Sequence, residues 1–120
     1  MDAIEAEQIA KAWTEAWNNN DLDAMLQHYA DDVVFHSPFI KLVNEDASTV
    51  INGKAALKEY LERGKEAYPH DRFQLHRTGL GAGSIVLNYI SVNGMLANEI
   101  HVLNEDNKAV ELRCHYSDAV

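Results

Sequence analysis

Along the first eighteen residues the apolar positions Ile9, Ala10, Trp13, Ala16 and Trp17 form one stripe at helical spacing. The stripe predicts a helix from about Ala3 to Asn18, ended by the three asparagines Asn18 to Asn20. Asp21 then offers a carboxylate to the free N–H groups of a second helix, in which Leu22, Met25, Leu26 and Tyr29 keep the same period. The period changes within the run: Val33 to Ser37 reads as a short strand stopped by Pro38, so a helix feeds directly into a strand ending on His36 and Ser37. Phe39 to Val43 reads as a further short strand and Asn44 to Thr49 as a loop. A third helix starts near Asn52 or Gly53 and stops before Pro69, with Leu57, Tyr60, Leu61 and Tyr68 on one face.

After Asp71 the period is that of strands. Arg72 to Thr78 alternates and ends in the turn GLGAG, Ser84 to Val92 and Met95 to Leu103 flank Asn93-Gly94, and Lys108 to Ser117 follows a turn at Asn104 to Asn107. A two-residue type I′ turn at Asn93-Gly94 pairs Val92 with Met95, Ile90 with Ala97, Asn88 with Glu99 and Val86 with His101. Alternation then places Ala97, Glu99, His101 and Leu103 on one mixed face with Val86, Asn88 and Ile90. Leu96, Asn98, Ile100 and Val102 share the other, mostly apolar face with Ile85, Leu87 and Tyr89.

Length and charge narrow the function. A chain of 120 residues is expected to form one domain, residues 1–120, burying roughly two thirds of its unfolded surface. The formal charge of −9, without a basic cluster, repels phosphate backbones and anionic lipid, so neither nucleic acid nor membrane is an expected partner. No apolar run reaches the roughly 18 residues of a membrane span, and the N-terminus lacks a basic-then-apolar signal pattern, so a cytoplasmic location is expected. The lone Cys114 sits on a strand and is expected to be a buried thiol. GLGAG leads into another strand and so is a turn rather than a dinucleotide loop. His70, His76, His101 and His115, with Glu99, have neither helical i, i+4 spacing nor a ligand motif; no metal and no other cofactor is expected.

Trp13, the run DLDAMLQHYADDVVFHSP (Asp21 to Pro38) and NGKAALKEYL (Asn52 to Leu61), in this order and spacing, resemble the nuclear transport factor 2-like superfamily, in particular its SnoaL-like and ketosteroid-isomerase-like branches. The resemblance extends over nearly the whole chain. It implies an α+β fold of the cystatin-like barrel type, with a cone-shaped, curved antiparallel sheet wrapped around three helices from the N-terminal half. The hollow interior would be the ligand site, and the outer sheet face would pair with a second subunit. It also implies that Trp13 stands where the first helix of the isomerases supplies an oxyanion-hole tyrosine, Ser37 where they carry the base aspartate, and Glu99 where they carry a second oxyanion acid. Tyr116 matches an aromatic of the pocket floor. A serine cannot abstract an α-proton as a carboxylate does, and an indole N–H donates a hydrogen bond but is no acid, which speaks against the isomerase reaction itself. Glu99 remains, as in SnoaL-like cyclases that use an acidic residue of a pocket strand for proton transfer.

With the mixed face inward, Glu99 and His101 share the interior with Asn88. Burial raises the pKa of such a carboxyl and a protonated histidine lowers it, so the pair is expected to titrate near neutrality. The candidate catalytic residues are Glu99, His101 and Ser37; the candidate pocket residues are Trp13, Tyr29, Phe35, Asn88, Leu112 and Tyr116. His36 has the opposite parity to Ser37 and joins them as a candidate at the rim. Two functions are open. One is a cofactor-independent acid–base enzyme that isomerises, cyclises, hydrates or dehydrates a small apolar substrate. The other is a non-catalytic module that binds a small apolar molecule or serves as a dimerising scaffold, with Glu99 and His101 as a self-satisfied polar pair. A homodimer through the outer sheet face, read here as Ile85, Leu87, Tyr89, Ile100 and Val102, is expected in either case.

Overall fold

A computed structural model describes residues 1–118 of the chain. In order, the elements are α1 (Ala3–Asn18), α2 (Leu22–Leu26), β1 (Tyr29–His36), α3 (Ile40–Asn44), β2 (Val50–Asn52), α4 (Lys54–Ala67), β3 (Gln74–Leu80), β4 (Ser84–Ile90), β5 (Leu96–Leu103) and β6 (Ala109–Ser117). Asp2 caps α1 by accepting the Glu5 N–H, and the helix buries Ala6, Ala10, Trp13, Ala16 and Trp17. Its end is a Schellman turn: Asn20 adopts φ 59°, and the N–H groups of Asn20 and Asp21 return to the carbonyls of Trp17 and Ala16. Asp21 caps α2 through the Ala24 N–H at 3.1 Å.

Two segments depart from the local pattern. The second helix is five residues long, and Tyr29 opens a strand instead of closing the helix, because it pairs with Ala109 of β6 while the Ala109 N–H donates to the His28 carbonyl at 2.8 Å. A neighbouring ladder overrides a short helical period. Phe39 to Val43 is not a strand: β2 occupies that edge of β1, and the chain past Pro38 coils into α3, started by the Phe39 N–H on Ser37 Oγ and ended by Glu45 at φ 55°.

The sheet order is β2-β1-β6-β5-β4-β3, curved and unclosed, with α1 packed on β3 and α4 on β1. Every pair is antiparallel except β1 with β6, which run parallel, so at this one pair the antiparallel expectation does not hold. Among the described residues no helix is long and apolar enough to cross a membrane.

The β4–β5 hairpin decides what faces the interior. Ser91 N–H donates to Met95 O and Gly94 N–H to Ser91 O, each at 2.9 Å, so the loop is the three residues Val92, Asn93 and Gly94, with only Gly94 at positive φ (80°). A type I′ turn needs positive φ at both central residues, and Asn93 instead turns its side chain to accept the Met95 N–H. The extra loop residue moves the register by one: Leu87 pairs with Glu99, Ile85 with His101, Tyr89 with Ala97, and Asn88 with Asn98. Glu99 and His101 therefore face inward beside Ile85, Leu87 and Tyr89, all of them buried. Asn88 lies on the outer face, where its amide donates to Asn98 Oδ1 at 2.8 Å. The apolar outer face is thus Val86, Ile90, Leu96, Ile100 and Val102, each half-buried, and not the set containing Ile85, Leu87 and Tyr89.

Candidate active site

Glu99 is 3% exposed and His101 1%, and both are held by the centre of β5 against the helices. Glu99 Oε2 lies 2.6 Å from His101 Nε2, while Oε1 accepts the Tyr89 hydroxyl at 2.8 Å and the Cys114 thiol at 3.0 Å. Tyr89 comes from β4 and Cys114, the register partner of Glu99, from β6, so three adjacent strands converge on one carboxyl.

The charge state follows from this company. Burial pushes the Glu99 carboxyl up, but the His101 hydrogen bond and charge, with the hydrogen bonds from Cys114 and Tyr89, together outweigh it and hold the group below its ordinary range. Glu99 is therefore a carboxylate at neutral pH, and Nε2 of His101 carries the hydrogen between them. Burial, with the nearby Cys114 and Glu99, raises Tyr89 far above its ordinary value, and Cys114 is raised by burial and by Glu99; both stay protonated and act as donors.

Trp13 completes the setting. Its indole N–H donates to the Tyr29 hydroxyl oxygen at 2.8 Å, its ring stacks on Phe73 at 5.1 Å, and it meets His101 edge-on at 5.5 Å. The N–H is thereby committed to Tyr29 and is not free for a ligand. Burial raises the Tyr29 phenol, so it keeps its own hydrogen, and none of the hydrogen bonds among the described residues uses it. Phe73 also stacks on Trp17 at 4.8 Å, making a three-ring slab.

These groups border a cavity of about 150 Å³ between α1, α3, α4 and the sheet. Trp13, Trp17, Tyr29, Phe35, Phe73, Tyr89, Tyr116 and Glu99 are on its wall, and the more exposed lining residues, Leu42, Val43, Tyr68, Val92 and Asn93, mark its mouth. Of the candidates read from the sequence, Glu99, Trp13, Tyr29, Phe35 and Tyr116 thus meet at the cavity. His101 stands directly behind Glu99.

Four others do not reach the wall. Ser37 is buried, but its Oγ caps the Phe39 N–H at 3.2 Å. Leu112 packs in the core opposite His101, and His36 is half-buried between Val50 and Arg113 in the ladder. Asn88 is on the far side of the sheet for the register reason given above.

The sequence reading missed Tyr89 and the role of Cys114 as a donor. The signal for Tyr89 was present: Ile85, Leu87 and Tyr89 are the more apolar parity of β4, and that parity belongs inside. Among the described residues no three His, Cys, Asp or Glu side chains gather as a metal site would require.

No curated protein matches the chain. Among solved structures, a SnoaL-like protein of unknown function from Burkholderia thailandensis is 31% identical and superposes with a TM-score of 0.89 over 98% of each chain. A protein of cystatin-like fold from Methylobium petroleophilum, 11% identical, has a TM-score of 0.75 over 100% of this chain and 80% of its own. The epoxide hydrolase/cyclase-like enzyme SalBIII, of pyran ring formation in the polyether salinomycin, is 16% identical, with a TM-score of 0.73 over 97% and 93%. The last two likenesses establish the fold alone. The SnoaL-like domain profile matches residues 10–116, nearly the full length, and with the 31% identical relative it places this chain in the SnoaL-like family.

Proposed function

We propose that the protein is a cofactor-independent acid–base enzyme that isomerises, cyclises, hydrates or dehydrates a small apolar molecule. The observation that carries this reading is one ionised carboxylate, Glu99, on the wall of an otherwise uncharged, largely aromatic and aliphatic cavity, its position fixed by His101, Tyr89 and Cys114. Glu99 takes a proton from a C–H beside a carbonyl, or from a hydroxyl. The electrons of the broken C–H bond pass into the enolate, whose oxygen accepts the free Tyr29 O–H. Glu99, now a carboxylic acid, returns the proton at a second carbon or at a departing oxygen. His101 is a positioning residue: it orients the carboxylate and sets its proton affinity without meeting the substrate.

Exchange in D2O tests this without knowledge of the substrate. One-ring ketones and enones, followed by NMR, are expected to take up deuterium at the activated carbon about 10²-fold or more faster than in buffer. If ligands shift melting but exchange no faster than in buffer, the acid–base reading is lost and the binding-module reading takes its place.

The outer sheet face supports a second proposal, a homodimer. Val86, Ile90, Leu96, Ile100 and Val102 make a half-buried apolar strip around the Asn88–Asn98 pair, and a self-complementary face of this kind is what a two-fold dimer covers. Light scattering is expected to read twice the 13.5 kDa chain mass at micromolar concentration, and a monomer there would contradict the proposal.

A further inference from the structure

Charge is distributed one-sidedly around the cavity. Among the described residues its wall carries the Glu99 carboxylate but no lysine, arginine or histidine side chain. His101 lies behind Glu99, and its Nε2 is already engaged at 2.6 Å. Lys65 is over the Trp17 ring, 4.0 Å from its centre, and is not on the cavity wall. An anion entering this space would shed its hydration, meet no cation, and approach a like charge where water screens poorly.

Volume adds a second constraint. At about 150 Å³ the space equals the kind of apolar cavity that accepts a single benzene ring. The aromatic side chains Trp13, Phe73 and Tyr89 on its wall suit such a ring, and three of the four lone-pair directions of Glu99 are taken by protein donors, leaving one for a ligand hydrogen.

We infer that the cavity selects an uncharged single-ring molecule bearing a hydroxyl or an acidic C–H, and that Glu99 itself turns anions away. The inference rests on the cavity being the substrate site. It gives Glu99 a part in specificity that is separate from proton transfer, and it sets a size class: a fused polycyclic substrate does not fit within the walls.

Calorimetric titration of the intact protein at neutral pH with benzyl alcohol, benzoate and 1-naphthalenemethanol tests it by binding alone. Benzyl alcohol is expected to bind at least about tenfold more tightly than benzoate. Glu99→Gln is expected to narrow that ratio to less than about threefold through a gain for benzoate, and Glu99→Asp, which keeps the charge, to preserve it.

Benzoate binding as tightly as the alcohol to the unaltered protein overturns the inference, even if neither variant folds. So does a ratio unchanged in Glu99→Gln. No measurable binding of benzyl alcohol, or tighter binding of the two-ring alcohol, overturns the size class. A protein that discriminates in this way yet exchanges no protons loses the acid–base reading and keeps the charge filter; the reverse result removes the filter and leaves the chemistry.

Discussion

Glu99→Gln is expected to lower turnover by about 10²–10⁴-fold while changing KM little, because the amide keeps the shape of the side chain and loses the basic lone pair. The replacement is confined to one function. A glutamine oxygen can still accept from His101, and the Tyr89 hydroxyl and Cys114 thiol, which rotate freely, can reorient toward its NH2 group. The cavity wall is therefore retained and the proton acceptor is not. Steady-state kinetics on any substrate that exchanges protons in D2O provides the measurement. Turnover within a few fold of the unaltered enzyme would remove Glu99 from the mechanism.

His101→Phe is expected to have the largest effect on stability. It deletes the 2.6 Å hydrogen bond and the charge that lower the Glu99 pKa, and leaves the burial that raises it. Removing one partner of a buried pair costs about 3–5 kcal/mol, equivalent here to a fall in melting temperature of roughly 10–20 °C at neutral pH.

The pH dependence distinguishes this from mere loss of packing. In the unaltered protein the folded carboxyl lies below its ordinary value of 4.5, so its ionisation stabilises the fold fully above pH 4.5, and that contribution is lost as pH falls through the lower folded value. In the variant the lowering by His101 is gone, so the folded carboxyl lies higher than in the unaltered protein and less of that contribution remains at neutral pH. The melting difference between the two proteins is therefore expected to widen from about pH 4 to about pH 7. The acid limb of the rate profile should move upward in pH with it. A constant difference across the range would mean that His101 acts through packing alone.

Much of this arrangement was legible in the residues. The bounds of α1 and the cap at Asp21 follow from spacing, which is local, and the inward direction of Glu99 and His101 from alternation taken together with the family resemblance. What was not legible is what depends on a partner strand. Tyr29 left its helix for a strand because Ala109, eighty positions away, offers a ladder. Asn88 lost its place beside Glu99 because Asn93 took an ordinary φ and accepted the Met95 N–H, adding one residue to the loop. A dipeptide favours a turn type, but the sheet chooses the register, and a one-residue change exchanges the two faces of a strand. The error reached β4 and not β5, since Leu112, Cys114 and Tyr116 of β6 hold Glu99 and His101 inward from the other side.

The three-ring slab has a practical consequence. The chain contains two tryptophans, and both Trp13 and Trp17 border the same cavity. All of the indole emission of the protein therefore originates at the place where a ligand would sit, with no distant fluorophore to dilute it. Trp13, bonded to a phenol, and Trp17, beneath an ammonium group, occupy unlike electrostatic surroundings, so a guest molecule would shift two spectrally distinct reporters at once. The molecule thus carries its own optical gauge of occupancy, and none needs to be engineered into it.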